Sequence, residues 1–428
     1  MTRDRWTVLG VAGARAEWFG EVARWSTAGS AAIEFVPCLS AAEVRARLTA
    51  GRPFSALLAG ASTPGLDRDL IGAATEAGIA TFVVGATTAH RWEALGVAEL
   101  LAEPLDPANV VAALRRHATP LARLEPTIET PRAAPTGWRG RLVAVTGPPG
   151  AGASLTAIAT AQHLAADASH RGMVLLADLA LDADQAMLHD TGDVGPGVQE
   201  LVEAHRSTAA GLDTVRDLTV EPVGRPYRLL LGLRRHRDWT AVRPHAFEAG
   251  LHSLLRTHRV VVADVDADTE GELETGSIDV EERNGMARIV LSRADVVVTV
   301  GVCSPGGVHC LARTIRRIAH AGDGRRHIAV LNRAPRKRRQ RARATAALAT
   351  LLGPTLAPII GNPVFVTTSG DVDRSILDGV PLPDGPWRSV QREVVDRLSH
   401  APARHSDAGP DPVPVAPGRS GTWTREAG

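Results

Sequence analysis

Gly147, Gly152 and Ser154 stand at the spacing G-x-x-x-x-G-x-[ST], inside a stretch, residues 142–154, that reads LVAVTGPPGAGAS. Glycines at these places let the backbone turn tightly and aim its N–H groups at phosphate, while the hydroxyl reaches a divalent cation. A short apolar run precedes the loop, the pattern of a buried parallel strand, and an Ala/Leu/Ile-rich helical segment follows it. Strand, glycine loop and helix N-terminus together make the layout of a P-loop. Its template wants lysine just before the hydroxyl, and Ala153 stands there. The expected phosphate cradle is therefore Gly147, Gly150, Ala151, Gly152, Ala153 and Ser154, without its central charge. Pro148 and Pro149 withhold two backbone N–H donors, while residues 150–154 still have theirs to offer.

Two further apolar strands end in carboxylates. One closes at Asp178 and the other, VVVADVD at residues 260–266, at Asp264 and Asp266. A carboxylate at the carboxyl edge of a strand beside a P-loop is the Walker B arrangement, which serves Mg²⁺. Ser154, Asp178 and Asp264 are thus the expected Mg²⁺ residues of a nucleotide site. Lys337 is the only lysine in the chain and lies in an arginine run, so no distant lysine can supply the missing charge. Arg139 or Arg141 is the candidate replacement if the site turns over nucleotide.

Two stretches concentrate charge. Residues 264–282 carry nine acids and no bases, which reads as a solvated acidic loop. Residues 333–343, RAPRKRRQRAR, carry seven cations and no acids, ahead of a helix expected from Ala344. Cations at a helix N-terminus oppose its dipole, so helix stability does not explain them. Arg336, Lys337, Arg338, Arg339 and Arg341 are the candidate patch for DNA phosphate, anionic lipid or an acidic protein, with a plain solvated face as the alternative. The formal net charge of +1 excludes global attraction to nucleic acid, so any such binding is local.

The elements that position these residues fall into two α/β units. Residues 6–118 alternate strand-like and helix-like segments five times, the pattern of a doubly wound parallel sheet. Residues 119–138 hold four prolines and read as a semi-extended linker. Residues 139–400 form the P-loop unit with a mainly parallel sheet, and the Pro/Gly-rich residues 401–428 read as a disordered tail. Cys38, Cys303 and Cys310 form no C-x-x-C pair and fit a reducing compartment. No signal peptide and no stretch of ~18 apolar residues is evident, so a cytoplasmic protein is expected, with membrane contact only peripheral.

The strand order and lengths of residues 6–118 resemble a response-regulator receiver domain, including the Glu103–Pro104 step. The receiver's chemistry is absent: Gly10, Val11, Ala12 and Gly13 stand where acids belong, Ala59 or Gly60 where the phosphoacceptor aspartate belongs, Gly85 and Ala86 where a hydroxyl belongs, and Glu103 where lysine belongs. A pseudo-receiver for docking or dimerisation is expected, an unrelated flavodoxin-like unit being the alternative.

Residues 6–400 as a whole resemble the CpaE/TadZ branch of the ParA/MinD P-loop ATPases, including the actinobacterial CpaE-like septum site-determining (Ssd) proteins. The matching pieces are the loop at 142–165, VLLADLAL at 174–181, VVVADVD at 260–266, AVLNR at 329–333 and ILDGVPL at 376–382. The resemblance implies that Asn332 contacts adenine and that Gly361, Asn362 and Pro363, taken to follow the last strand, line the base. It implies a homodimer, protein partners in a pilus, secretion or division apparatus, and placement at the inner membrane face, poles or septum. The departures are specific. The family's two loop lysines are Pro148 and Ala153 here, and its water-positioning aspartate is Ala180. Losing two charge-assisted contacts of roughly 1.5–3 kcal/mol each removes much of the drive for an electrostatic reaction. The expectation is a spatial organiser with weak or lost ATP and Mg²⁺ binding, a pseudo-ATPase. The alternatives are an active MinD/ParA-type ATPase and a DNA- or surface-binding regulator working through residues 333–343.

Overall fold

The computed structural model describes residues 6–13, 16–28, 31–49, 53–86, 89–120, 139–191, 195–206, 210–320 and 327–400. Most of the expected linker, from residue 121, and the whole expected tail lie outside the described residues.

The first unit runs β1 (Trp6–Val11), α1 (Glu17–Ala28), β2 (Ile33–Cys38), α2 (Ala41–Thr49), β3 (Ala56–Gly60), α3 (Arg68–Glu76), β4 (Ala80–Val84), α4 (Ala89–Leu95), β5 (Glu99–Leu101) and α5 (Pro107–His117). The strands are apolar on both faces because helices cover both. One face buries Leu9, Leu57, Leu70 and Ile71; the other buries Trp6, Trp18, Phe82 and Leu114. Parallel pairing in the order β2-β1-β3-β4-β5 is a doubly wound arrangement. Asp67 starts α3 by accepting the Leu70 N–H, and Asp106 starts α5 ahead of Pro107. At the carboxyl edge Ala59 and Gly60 are buried, and the Glu103 side chain lies against Gly85.

The second unit runs β6 (Arg141–Thr146), α6 (Ala153–Ala166), β7 (Val174–Asp178), α7 (Gln185–Leu188), α8 (Val198–Arg206), α9 (Leu212–Asp217), β8 (Arg228–Leu230), α10 (Pro244–Thr257), β9 (Val260–Asp264), α11 (Glu272–Thr275), α12 (Ile278–Arg283), α13 (Gly285–Arg293), β10 (Val296–Val302), α14 (Pro305–His320), β11 (His327–Asn332), α15 (Arg338–Ile360), β12 (Val364–Phe365), α16 (Gly370–Leu377) and α17 (Arg388–His400). Its parallel sheet has the order β12-β11-β10-β6-β9-β7-β8, so the strand feeding the glycine loop is central. The α6 helix buries its Ala, Ile and Leu residues against one face, and α17 packs over it. Trp387 donates its indole N–H to Thr156 Oγ1 at 3.1 Å, tying the segment just ahead of α17 to the helix behind the loop.

Three expectations are corrected here. The helix expected from Ala344 starts at Arg338, so most of the basic run is helical; arginine and alanine are both good helix formers, and this outweighs the unfavourable dipole. The acidic stretch is not a free loop. It contains the short helices α11 and α12, and two acids ahead of them meet cations of the same unit: Asp268 meets Arg283 at 3.1 Å and Arg317 at 3.5 Å, and Glu270 meets Arg317 at 3.3 Å. The basic run of residues 333–343 supplies none of these partners. Finally, α15 is long and apolar enough to cross a membrane by length and composition and is mostly not buried, although Gly353 kinks it and Pro354 and Pro358 lie inside it.

Candidate functional site

The central strand β6 delivers Gly147 to the carboxyl edge of the sheet. A Cβ at Gly147 would lie 2.4 Å from the Val300 carbonyl oxygen of β10, so only glycine lets the chain leave the strand there. Pro149 and Gly150 then occupy the centre of a turn closed by the Ala151 N–H on the Pro148 carbonyl at 3.0 Å, with Gly150 at φ +73°. Proline followed by a positive-φ glycine is the type II turn signature. Ala151 was expected to offer its N–H to phosphate; the turn takes that N–H, and Ala151 is buried. Gly152, at φ +92°, begins α6 without a side-chain cap. The N–H groups of Ala153, Ser154 and Leu155 have no intrahelical acceptor, so the helix end keeps an anion-facing character.

Register sets the acids beside this helix end. Asp264 pairs with Val145 of β6 and with Asp178 of β7, so the two carboxylates are lateral neighbours one step below the loop. Both are almost fully buried. Burial and the neighbouring Asp264 charge push Asp178 well above the usual carboxylate range. Burial pushes Asp264 up to about 6, although hydrogen bonds from the Gln185 and Ser154 side chains pull the other way. Asp266 is also raised by burial, and its carboxylate accepts the Leu181 N–H at 2.7 Å.

Gln185, first residue of α7, is the site residue that sequence reasoning missed. It is fully buried. Its backbone N–H donates to Asp178 Oδ2 at 2.9 Å, and its Nε2 donates to Asp264 Oδ2 at 2.7 Å and, at 3.3 Å, to the Ser154 carbonyl oxygen. The signal available in the sequence was a polar residue opening an apolar turn, Gln185-Ala186-Met187-Leu188, seven residues after Asp178. Mg²⁺ demands octahedral oxygen coordination and keeps several waters. Ser154 and Asp264 are bonded to each other and to Gln185, and Asp178 Oδ2 is turned to backbone N–H groups. In this arrangement the expected Mg²⁺ residues do not fit the ion.

Neither arginine proposed as a lysine substitute reaches the loop. Arg141 opens β6 and pairs with Asp295 at 3.7 Å, at the amino edge of the sheet. Five strand residues at about 3.3 Å each separate it from Thr146, roughly 17 Å. Arg139 precedes it and is further still. A cation that does reach the loop is Arg333, at φ +53°, whose guanidinium donates to the Gly150 carbonyl at 3.3 Å.

Asn332 stands at the end of β11, beside the loop. Its Nδ2 donates to the Ala151 carbonyl at 2.9 Å, and its Oδ1 accepts the Arg333 N–H at 2.7 Å. A Cβ on Gly152 would lie 2.4 Å from that amide nitrogen. Asn332 therefore braces the loop. Pro363 is misplaced as a base-lining residue. The segment at 361–363 precedes β12, which is parallel to β11 with Val364 level with Val330. Pro363 is thus buried about 10 Å below Asn332 along the strand direction. Residues following β12, such as Thr367 and Thr368, occupy the carboxyl edge that the expectation had in view.

Arg336, Lys337, Arg338 and Arg339 are exposed around the start of α15. Arg341 does not belong with them: its Nε donates to the Pro335 carbonyl at 2.7 Å and its guanidinium lies 5.3 Å from the Phe365 ring, which makes it a brace for the turn.

No protein-family model and no curated protein matches this chain. Solved structures similar to it include a ParA family ATPase from Chlorobium tepidum TLS (TM-score 0.45, 14% identity, 61% of this chain and 98% of that chain covered). Another is the septum site-determining protein MinD complexed with Mg-ADP from Pyrococcus horikoshii OT3 (TM-score 0.43, 15% identity, 62% and 100%). A third is a plasmid partition protein from Borrelia burgdorferi B31 bound to AMPPNP (TM-score 0.42, 12% identity, 61% and 99%).

Proposed function

We propose that this chain is a cytoplasmic spatial organiser of the CpaE/TadZ/Ssd kind, a scaffold on a ParA/MinD-like P-loop unit whose nucleotide site is degenerate. On this reading residues 1–118 are a receiver-like docking unit without phosphotransfer chemistry. The chain acts as a homodimer with protein partners of a pilus, secretion or division apparatus. The observation that carries the reading is the state of the loop: its strand, turn and helix persist while both loop lysines and three of its backbone donors are missing. Pro148 and Ala153 bring no cation, and the Ala151 N–H is spent on Pro148. Ala180 leaves no carboxylate to position water, and phosphoryl transfer is chiefly positioning and electrostatics. ATP and Mg²⁺ binding is therefore weak or lost. A phosphate-release assay on the full chain, with Ser154→Ala as control, is expected to give the same background rate for both. ATP-dependent turnover that disappears in the control would sink the reading and restore the active ATPase.

Exposure of Arg336, Lys337, Arg338 and Arg339 favours an anionic surface as a second point of attachment. Replacing these four by glutamine is expected to lower salt-sensitive retention on DNA or on anionic vesicles. Unchanged retention on both discards that attachment.

A further inference from the structure

Asp178 and Asp264 are two buried carboxyl groups on adjacent strands, and ordinary chemistry requires something positive or hydrogen-donating between them. A P-loop with a Walker B carboxylate answers that need with a divalent cation. Here the contacts are already made by one residue. Gln185 Nε2 lies 2.7 Å from Asp264 Oδ2 and 3.3 Å from the Ser154 carbonyl, while the Gln185 backbone N–H serves Asp178 Oδ2 at 2.9 Å.

We infer that the Gln185 carboxamide is a built-in occupant of the cation position, supplying to Asp264 and Ser154 the donor that a divalent ion would otherwise replace. The inference rests on the reading of residues 147–154 as a P-loop cradle, and it gives that cradle a specific reason to refuse metal. The glutamine is held from both sides. Its N–H is bound to Asp178, and its carbonyl oxygen lies 2.8 Å from His189 Nδ1, whose Nε2 is in turn 2.8 Å from the Tyr227 hydroxyl. Both His189 and Tyr227 are buried, so the one-turn helix α7 cannot shift without breaking that chain. The fit is incomplete in an informative way. Asp178 Oδ1 and Gln185 Oε1 are buried with no hydrogen-bond partner among the described residues. Removing the amide therefore frees Asp264 Oδ2, which is bonded to the Ser154 side chain and adjacent in register to Asp178 with its unpartnered Oδ1, oxygen donors of the kind hard divalent cations take.

The test uses the full chain and Mn²⁺ alone, followed by electron paramagnetic resonance. Wild type is expected to show no saturable site. Gln185→Ala is expected to bind one Mn²⁺ at least tenfold more tightly than wild type, and Gln185→Ala with Asp264→Asn is expected to lose it. A second variant guards against a misfolded first one. Gln185→Glu keeps the shape but swaps the donor for a third carboxylate, so it is expected to melt below wild type in chelator and to recover on adding Mg²⁺. Wild type binding Mn²⁺ as tightly as Gln185→Ala overturns the inference. So does a folded Gln185→Ala that binds none, or a Gln185→Glu whose melting ignores Mg²⁺. The proposed function fails on a different readout, ATP turnover by wild type, so the two failures are distinguishable.

Discussion

Asp69 of α3 accepts the backbone N–H of His245 in the first turn of α10 at 3.0 Å, so a residue of the first sheet's unit caps a helix of the second. The capping position of α10 itself is Arg243, which offers no side-chain acceptor, and Pro244 follows it. Two neighbours reinforce the junction: Arg68 Nε donates to the His205 carbonyl at 2.9 Å, and Arg206 meets Asp67 at 3.5 Å. Burial raises the Asp69 carboxyl above its ordinary range, against the pull of the His245 N–H. The acceptor, rather than the charge, is what the junction needs. Asp69→Ala is expected to cost about 1–2 kcal/mol in urea unfolding, as for other lost caps, and Asp69→Asn well under half of that. Equal costs for the two variants would contradict this account.

Gly72 lies one turn further along α3, where an added Cβ would stand 2.7 Å from the His245 ring. Gly72→Ala is expected to lower stability by about 1–3 kcal/mol through overpacking, and His245→Ala to relieve most of that cost. A double-mutant cycle measures the coupling, and additive effects would place the clash elsewhere.

Trp387 and Thr156 connect the last helix to the loop, since Thr156 Oγ1 also donates to the Gly152 carbonyl at 2.8 Å. Trp387→Ala is expected to cost about 3–5 kcal/mol, the range for emptying an aromatic core position. Trp387→Phe keeps most of the packing and loses the indole donor, at about 1 kcal/mol. Thermal or denaturant unfolding reads both, and a Trp387→Ala effect below the Phe variant's would refute the packing assignment.

Burial pushes the His258 ring down to about 4. In the unfolded chain a histidine titrates near 6.5. As pH falls below that value the unfolded state takes up the proton first. The stability due to neutral His258 is therefore full above about 6.5 and is lost as pH falls toward 4. Between pH 7 and pH 5 the loss is about 2 kcal/mol. His189, also at about 4, acts in the same direction. Asp178 and Asp264 act oppositely, because raised carboxyl groups favour the fold at low pH. Comparing variants isolates one ring: the pH 7 to pH 5 loss is expected to shrink by about 2 kcal/mol in His258→Leu. An unchanged slope would mean that the ring is not neutral in the fold.

Ala153→Lys returns a charge-assisted donor to the start of α6. A gain of about 1.5–3 kcal/mol in ATP binding, roughly 10- to 150-fold in Kd by calorimetry, is the expected outcome. No gain would locate the defect in the Pro148–Ala151 turn instead of the missing charge.

Much of the site was legible along the chain because its residues are local in sequence. The loop from Gly147 to Ser154, the strands ending at Asp178 and Asp264, and the missing lysine at Ala153 are all readable from spacing and residue type. The alternation of apolar runs with helical segments likewise determined two parallel α/β units, since strand burial on both faces leaves a continuous apolar signature. What only the tertiary structure decided depends on register and on contacts between distant segments. Pairing β12 with β11 moved Pro363 away from the loop, and pairing β6 with β9 placed Asp264 one step below it. The stacking of Arg341 on Phe365 withdrew it from the exposed cations, and the pairing of Asp268 with Arg317 tied the start of the acidic run to its own unit. The same holds at the centre of the site. That the loop lacks its lysines was written in the sequence; that Gln185 stands between its carboxylates follows only from folding α7 back over two neighbouring strands, because the hydrogen bond from Gln185 to Asp264 joins residues 79 positions apart.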